Sequence, residues 1–235
     1  MKSEYEHPNY QFLVGKASGK VLDFGCGKGD MVLRAAKAGL DAHGVEFFGP
    51  GSGIQIKSTL EERGLLGNCV LEYDGKTLPF DGNTFDTVIS NQVLEHVPNV
   101  GQALSEISRI LKPGGRFVCT FPYQDGFREG HSNTLFTHWF SKGSSRYTLL
   151  LVHRALGIGR LKRNRSISEW AHFFNDWLEE NTFYLTGRKV EQLFSSNFTQ
   201  FEHIEAEYMR FRYGSFPLSG VICRRFASII IEATK

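Results

Sequence analysis

Short apolar runs alternate with segments of helical period along the first half of the chain. The runs at 20–25, 42–47, 69–73, 85–91 and 116–121 read as strands, and the segments 30–38, 54–63 and 100–111 between them read as helices. That alternation is the signature of βαβ units on a parallel sheet. The third helix is the best marked. Val100, Ala103, Leu104, Ile107, Ile110 and Leu111 share one face, Asn99 stands as N-cap with Gln102 three residues on, and Pro113-Gly114-Gly115 supplies the stop.

From 122 to 185 the rhythm breaks, over a stretch far longer than an ordinary αβ connection, so an insertion with structure of its own is expected. Ser166 and Glu169 form a capping box ahead of Ile167, Trp170, Ala171, Phe174, Trp177 and Leu178, again one helical face that needs a partner. Alternation resumes with a helix at 187–196 and strands at 198–209 and 226–233, which read as a closing antiparallel pair. Three parts are expected: 1–121 as the N-terminal part of a core, 122–185 as an inserted basic and aromatic cap over the substrate, and 186–235 as the C-terminal part of the core sheet.

Composition adds bounds. With 235 residues, 41% hydrophobic and 22% charged, the chain has ordinary globular usage. No apolar run approaches the ~20 residues of a membrane span, and the first residues hold no apolar signal core, so a cytoplasmic location is expected. Cys26, Cys69, Cys119 and Cys223 are widely spaced, without a CxxC pair; they read as reduced core residues, and no metal site is expected. The net charge of +2 conceals a segregation: residues 122–168 carry eight Lys and Arg against two Asp and Glu.

Val21-Leu22-Asp23-Phe24-Gly25-Cys26-Gly27-Lys28-Gly29 sets three glycines where a strand hands over to a helix. A ligand can approach such a backbone closely, and the helix start offers free N–H groups. A dinucleotide fingerprint would need its third glycine at Asp30, where a carboxylate repels phosphate. Asp23 beside the turn suits a cationic amino group instead. VLDFGCGKG resembles motif I of the class I S-adenosylmethionine-dependent methyltransferases. The stretch YDGKTLPFDGNTFDTVISNQVLEHV is similar to their small-molecule branch, called type 11, and LKPGGRFVCTFP to their post-core motif. The resemblance runs over about 19–121. It implies a Rossmann-like doubly wound α/β fold with a mainly parallel seven-stranded sheet, one antiparallel strand and the helical insertion, and S-adenosyl-L-methionine as cofactor. It also implies that Glu46 holds the ribose diol, for which two carboxylate oxygens are suited, that Asp74 and the Gly75 N–H meet the adenine, and that Gly25, Cys26, Gly27, Gly29 and Asn91 line the methionine part. Phe47 is a candidate to stack on the base.

Glu95-His96 is the acid–base pair nearest the expected methyl group, which makes His96 a candidate general base and Glu95 its orienting neighbour. His131 and His138 are candidates to line the substrate pocket. The basic insertion has three functional readings, a cap that attracts an anionic small molecule such as a sugar derivative, a surface at 142–165 for peripheral membrane contact and a lipid-linked acceptor, and third a nucleic-acid surface, beside the plain reading of a solvated helix face. A nucleic-acid partner is not expected at this charge. The expected activity is methyl transfer to a small-molecule or lipid-linked acceptor by in-line displacement. An NAD(P)-dependent oxidoreductase and a non-enzymatic partner protein are the rival readings.

Overall fold

Strand β1 (Lys20–Phe24) follows a first helix, α1 (Pro8–Lys16), and leads through α2 (Asp30–Lys37), β2 (Asp41–Glu46), α3 (Gly53–Glu62) and β3 (Val70–Glu72) to β4 (Phe85–Asn91), α4 (Val100–Ile110) and β5 (Leu111–Phe121). This computed structural model describes residues 7–49, 53–162, 164–214, 220–226 and 228–235. The insertion then contributes a small hairpin, β6 (Arg128–Glu129) and β7 (Thr134–Leu135), and two helices, α5 (Ser144–Ala155) and α6 (Ile167–Asn181). The chain returns through α7 (Gly187–Asn197), β8 (Gln200–His203), α8 (Glu205–Tyr213) and α9 (Gly220–Phe226) to β9 (Ile229–Thr234).

The sheet order is β3-β2-β1-β4-β5-β9-β8, with β1 to β5 parallel and β9 antiparallel to both of its neighbours. This is the doubly wound, mainly parallel seven-stranded sheet that the resemblance implies. Period-2 geometry gives each central strand two buried faces. Val21, Ile89, Val118 and Ile230 pack with Phe12 and Leu13 of α1, Met31 of α2 and Tyr208 of α8 on one side. Leu22, Val88, Phe117 and Ile231 pack with Leu104 and Ile107 of α4 and Phe194 of α7 on the other. The strand order reverses between β1 and β4, and the crevice at that reversal is where open α/β sheets place ligands.

The cap on α4 forms as expected, with Gln102 N donating to Asn99 Oδ1 at 3.1 Å. The helix ends before Pro113-Gly114-Gly115, however: Leu111 is already extended and opens β5. The Pro-Gly-Gly segment bulges from the ladder, since Phe85 pairs with Leu111 but Thr87 with Arg116. The strand expected over 198–209 ends at His203. Ile204 and Tyr208, four residues apart, then share the buried face of a helix, and the Glu205 carboxylate accepts Ile230 N–H at 3.0 Å. Helices α1 and α9 have no counterpart in the periodicity reading. Cys26, Cys69 and Cys119 are free thiols, whereas the Cys223 side chain lies outside the described residues, as does Arg163.

The α6 capping box forms, and its apolar face docks on α5: Leu150, Trp170, Ala171 and Phe174 make a small separate core. Arg146, expected among the charges of the cap's surface, is instead buried between the two helices. There it donates to Asn175 Oδ1 at 3.0 Å and to Glu179 at 2.7 Å. A long cation with a partner on the facing helix satisfies both. Among the described residues no helix is long and apolar enough to cross a membrane.

Candidate functional site

The turn after β1 opens into a cavity of about 290 Å³ at the sheet's reversal point. Asp23, Gly25, Cys26, Gly27, Lys28 and Asp30 line one wall, and Asn91, Gln92 and Val93, at the end of β4, line the other. Gly25 has φ +74°, and a methyl group built on it would lie 2.5 Å from both methyls of Val93. Gly29 has φ +81°, with Leu65 at 2.5 Å from its would-be methyl. Only glycine fits both backbones and spaces. The turn therefore sits close against β4 on one side and the α3–β3 loop on the other.

Asp23 is 1% exposed, and neither of its oxygens has a partner among the described residues. Burial, with Glu46 and Asp30 nearby, pushes its carboxyl well above the usual carboxylate range. An orphaned buried carboxylate aimed at a cavity wants a cation or a strong donor. Glu46 accepts Gly27 N–H at 2.5 Å and Phe47 N–H at 3.2 Å, and burial outweighs those bonds and raises its carboxyl too. Its remaining lone pairs stay free to accept from a diol. The exposed Lys28 leaves Asp23 without an internal counter-ion, and Asp30 is paired to Arg63 at 2.6 Å. The residues present thus fit S-adenosylmethionine, with a cationic amino group for Asp23 and a ribose for Glu46.

Phe47, 53% exposed, stands beside Gly75, whose would-be methyl lies 3.6 Å from the ring. Like Glu46, Phe47 and Gly75, Asp74 is not among the residues that line the cavity described above. Its Oδ1 accepts Lys76 and Thr77 N–H at 2.7 and 2.8 Å, which shapes the turn after β3 and lowers its pKa. Asn91 Oδ1 accepts from Asn9 Nδ2 at 2.8 Å. That leaves Asn91 one oxygen lone pair and its NH2 group to offer a ligand. Sequence reasoning missed the residue responsible, and missed Tyr10, which also lines the cavity. The available signal was His7-Pro8: proline at the first helical position after a side chain that caps Asn9 N–H.

A second cluster lies where the insertion meets the end of β4. The single 3-10 turn Leu94–His96 holds Glu95 and His96, and Phe183 N–H donates to Glu95 O at 2.7 Å, tying the chain after α6 to that turn. His96 Nδ1 lies 2.6 Å from Asn181 O and its Nε2 3.2 Å from His131 Nε2. His131 Nδ1 is 2.7 Å from Glu129 Oε1. The structure pairs His131 with His96 rather than with His138, which is buried behind Tyr184 with Nδ1 unpartnered. Burial lowers the pKa of both His96 and His138.

The two carboxylates of this cluster behave in opposite ways. Glu95 is buried without a partner, and desolvation pushes it up to about 8. Its Oε1 is 3.9 Å from His96 Nε2, too far for the orienting bond expected of it. Glu129 is buried as well, but bonds from His131, Ser132 and Tyr184 surround it; those from His131 and Ser132 overcome desolvation and pull it down to about 2. While the Asn181 carbonyl holds His96, the carboxylate that bonds a ring of this cluster is therefore Glu129, which holds His131 and which the sequence reading passed over. Its signal was isolation: Asp125 and Glu129 are the two acids among the eight basic residues of 122–168.

Residues 22–119 match a family described as a methyltransferase domain. A demethylmenaquinone methyltransferase of Symbiobacterium thermophilum is 36% identical over 108 residues, 42% of this chain and 41% of its own length. The ubiquinone/menaquinone biosynthesis C-methyltransferase UbiE of Brucella abortus is 37% identical over 101 residues, 42% and 38% of the two chains. A sterol 4-C-methyltransferase of Caenorhabditis elegans is 33% identical over 98 residues, 41% and 29%. The match thus spans about two fifths or less of the length of these relatives. By structure the chain is similar to an S-adenosylmethionine-dependent methyltransferase of Mesorhizobium loti, at TM-score 0.56, 15% identity and 99% coverage of both chains. It is also similar to a Thermotoga maritima protein described as a possible histamine N-methyltransferase, at TM-score 0.55, 16% identity and coverage of 97% and 87%. At such identities the likeness is one of fold. The glycine turn, the carboxylates at the strand ends, the sheet order and the sequence match over 22–119 agree: through this segment the chain resembles the class I S-adenosylmethionine-dependent methyltransferases.

Proposed function

We propose that the protein transfers the methyl group of S-adenosylmethionine to a small-molecule or lipid-linked acceptor. The observation that carries this is Asp23, a buried carboxylate with no partner at a glycine turn that Glu46 holds through the Gly27 N–H. A sulfonium methyl is already activated for in-line displacement, so the chain's task is to hold acceptor and methyl together, an effect worth up to ~7–11 kcal/mol when orientation is good. Glu46, Phe47 and Gly75 would hold the adenosine, and Asp23 and Asn91 the amino-acid end.

The acceptor side would be the insertion, strapped to the end of β4 through Glu95 and Phe183. Val152, Leu156, Ile158 and Leu161 are exposed near Arg154, Arg160 and Lys162, and this mixture of apolar and cationic surface supports a lipid-linked or anionic acceptor. The relatives are named for quinone and sterol substrates, but the match to them covers about two fifths of this chain, and the family match over 22–119 does not extend to this segment. A hydroxyl acceptor must shed a proton. In that case the lone pair on His96 Nε2 receives it, because Nδ1 is committed to Asn181 O.

The test has two steps. Calorimetric titration with S-adenosylhomocysteine should show one site, with no response to NAD. Incubation with methyl-labelled cofactor and fractionated cell extract should then move label into a lipid or small-molecule fraction. NAD binding without S-adenosylhomocysteine binding, or label confined to RNA or protein, would refute the proposal.

A further inference from the structure

We propose that His96, His131 and Glu95 form a binding site for a divalent transition-metal ion of the zinc type. The case begins with tautomers. His96 Nδ1 sits 2.6 Å from the Asn181 carbonyl oxygen, which can only accept, so Nδ1 carries the hydrogen. His131 Nδ1 sits 2.7 Å from Glu129 Oε1, and the Glu129 oxygens also accept from His131 N, Ser132 N and Tyr184 OH, so the carboxyl is the acceptor here and that nitrogen carries the hydrogen as well. In the neutral rings both remaining nitrogens then hold a bare lone pair, and the structure faces them at 3.2 Å. Two lone pairs at that distance repel unless a positive centre lies between them.

Geometry and surroundings distinguish a metal from a shared proton. Two ligands at the 2.0–2.1 Å usual for zinc and imidazole, held tetrahedrally, stand about 3.3 Å apart, which matches the observed separation. The third ligand is Glu95: its side chain is wholly buried, neither oxygen has a partner, and Oε1 lies 3.9 Å from His96 Nε2. The three ligand atoms lie within 4.8 Å of one another. A proton shared by the two rings would leave this carboxylate unsatisfied, whereas a cation answers all three groups at once. Behind His131 stands the supporting arrangement common to metal-ligating histidines, a carboxylate on the far ring nitrogen, here fixed by Ser132 and Tyr184. The Trp177 ring, 4.9 Å from that of His131, forms an apolar wall.

Imidazole with one carboxylate suits zinc, copper, nickel or ferrous iron and disfavours magnesium and calcium. Three protein ligands leave one position open, and the His96 side chain, 37% exposed, lies on the solvent side. That position would take an oxygen anion such as hydroxide, phenolate or enolate. A metal and a proton compete for the same lone pairs, so in the loaded chain the ion, rather than His96, would meet an acceptor's oxygen. The site does not rest on the methyl-transfer reading, and its test uses no turnover.

Untagged full-length protein, freed of metal with a chelator, is titrated with Co2+ and followed by its visible d–d absorption. One equivalent should produce the strong band of a tetrahedral site. His131→Ala and His96→Ala should abolish it, and Glu129→Gln should weaken binding about 10–100-fold. Because a variant can fail to fold, the unmutated chain is also followed by long-range 1H–15N NMR with Zn2+. Nε2 of two of the eight histidines should shift, with their Nδ1 still protonated. No Co2+ band in excess metal, a band unchanged in both histidine variants, or Nε2 resonances indifferent to Zn2+ would each overturn the site.

Discussion

Replacing Gly25 by alanine should damage the protein through two separable costs. The left-handed φ of +74° penalises any L side chain by roughly 1–2 kcal/mol. The new methyl would also lie 2.5 Å from Val93 Cγ1 and Cγ2, a clash that the branched side chain cannot escape by rotation because both methyls are involved. Overpacking of that kind costs about 1–3 kcal/mol, so Gly25→Ala should lose about 2–5 kcal/mol in all. Val93→Ala alone removes two methyl groups from a partly buried position, up to about 1.6 kcal/mol. In the double variant the two 2.5 Å contacts go, Val93 Cβ stays at 3.1 Å and the φ penalty stays, so the pair should be less destabilised than the sum by up to about 1–3 kcal/mol. Gly27→Ala is the control: its φ is +53°, but a methyl there meets nothing within 4 Å, and it should show the backbone cost alone. Urea denaturation of the four variants and the parent measures each of these quantities. Strict additivity of Gly25→Ala and Val93→Ala, within about 0.5 kcal/mol, would show that the turn does not press on Val93 as described.

Asp23→Asn should separate stability from binding. The folded Asp23 carboxyl is raised above its unfolded value of about 3.9, so its stabilisation is fully present below that pH and is lost as pH rises through the folded pKa. The cofactor-free parent should therefore lose melting temperature from acid toward neutral pH more steeply than the variant, and the variant should bind S-adenosylhomocysteine more weakly. Parallel pH curves would refute the buried-charge argument. Glu46→Ala should weaken cofactor binding more than tenfold, since two charge-assisted bonds of about 1.5–3 kcal/mol are at stake, and calorimetry at unchanged affinity would remove Glu46 from the site. Trp170→Ala should cost about 3–5 kcal/mol, localised in the α5–α6 pair, because that ring is fully buried in a core separate from the sheet. Limited proteolysis should then cut within 142–165 while the sheet domain resists; global cleavage would mean that the two cores unfold together.

The doubly wound core was legible because its information is local. Apolar runs of strand length, helical faces, the Asn99 and Ser166 caps and the glycine turn are each set by residues a few positions apart, and each appears where it was read. The misplaced elements mark where local pattern is ambiguous. The run 198–209 carries alternation enough for a strand, yet beyond His203 the buried apolar residues that pack with α1, Ile204 and Tyr208, are four apart. Arg146 reads as one cation among several, and only the facing helix, with Asn175 and Glu179, makes burying it tolerable.

The candidate cofactor site and the second cluster divide along the same line. Asp23, Gly25 and Glu46 stand at the ends of successive parallel strands, so a one-dimensional spacing predicts that they meet; the regular sheet turns sequence separation into position. Glu95 and His96 come from the end of β4, His131 from a hairpin, and Asn181 and Tyr184 from the end of α6 and beyond, with no periodic element to relate them. Their meeting depends on how the insertion folds back onto the core. The sequence alone settled the sheet and the glycine turn, because local sterics and strand periodicity act there. Packing between distant segments decided which ring nitrogens face each other and which carboxylate remains without a partner.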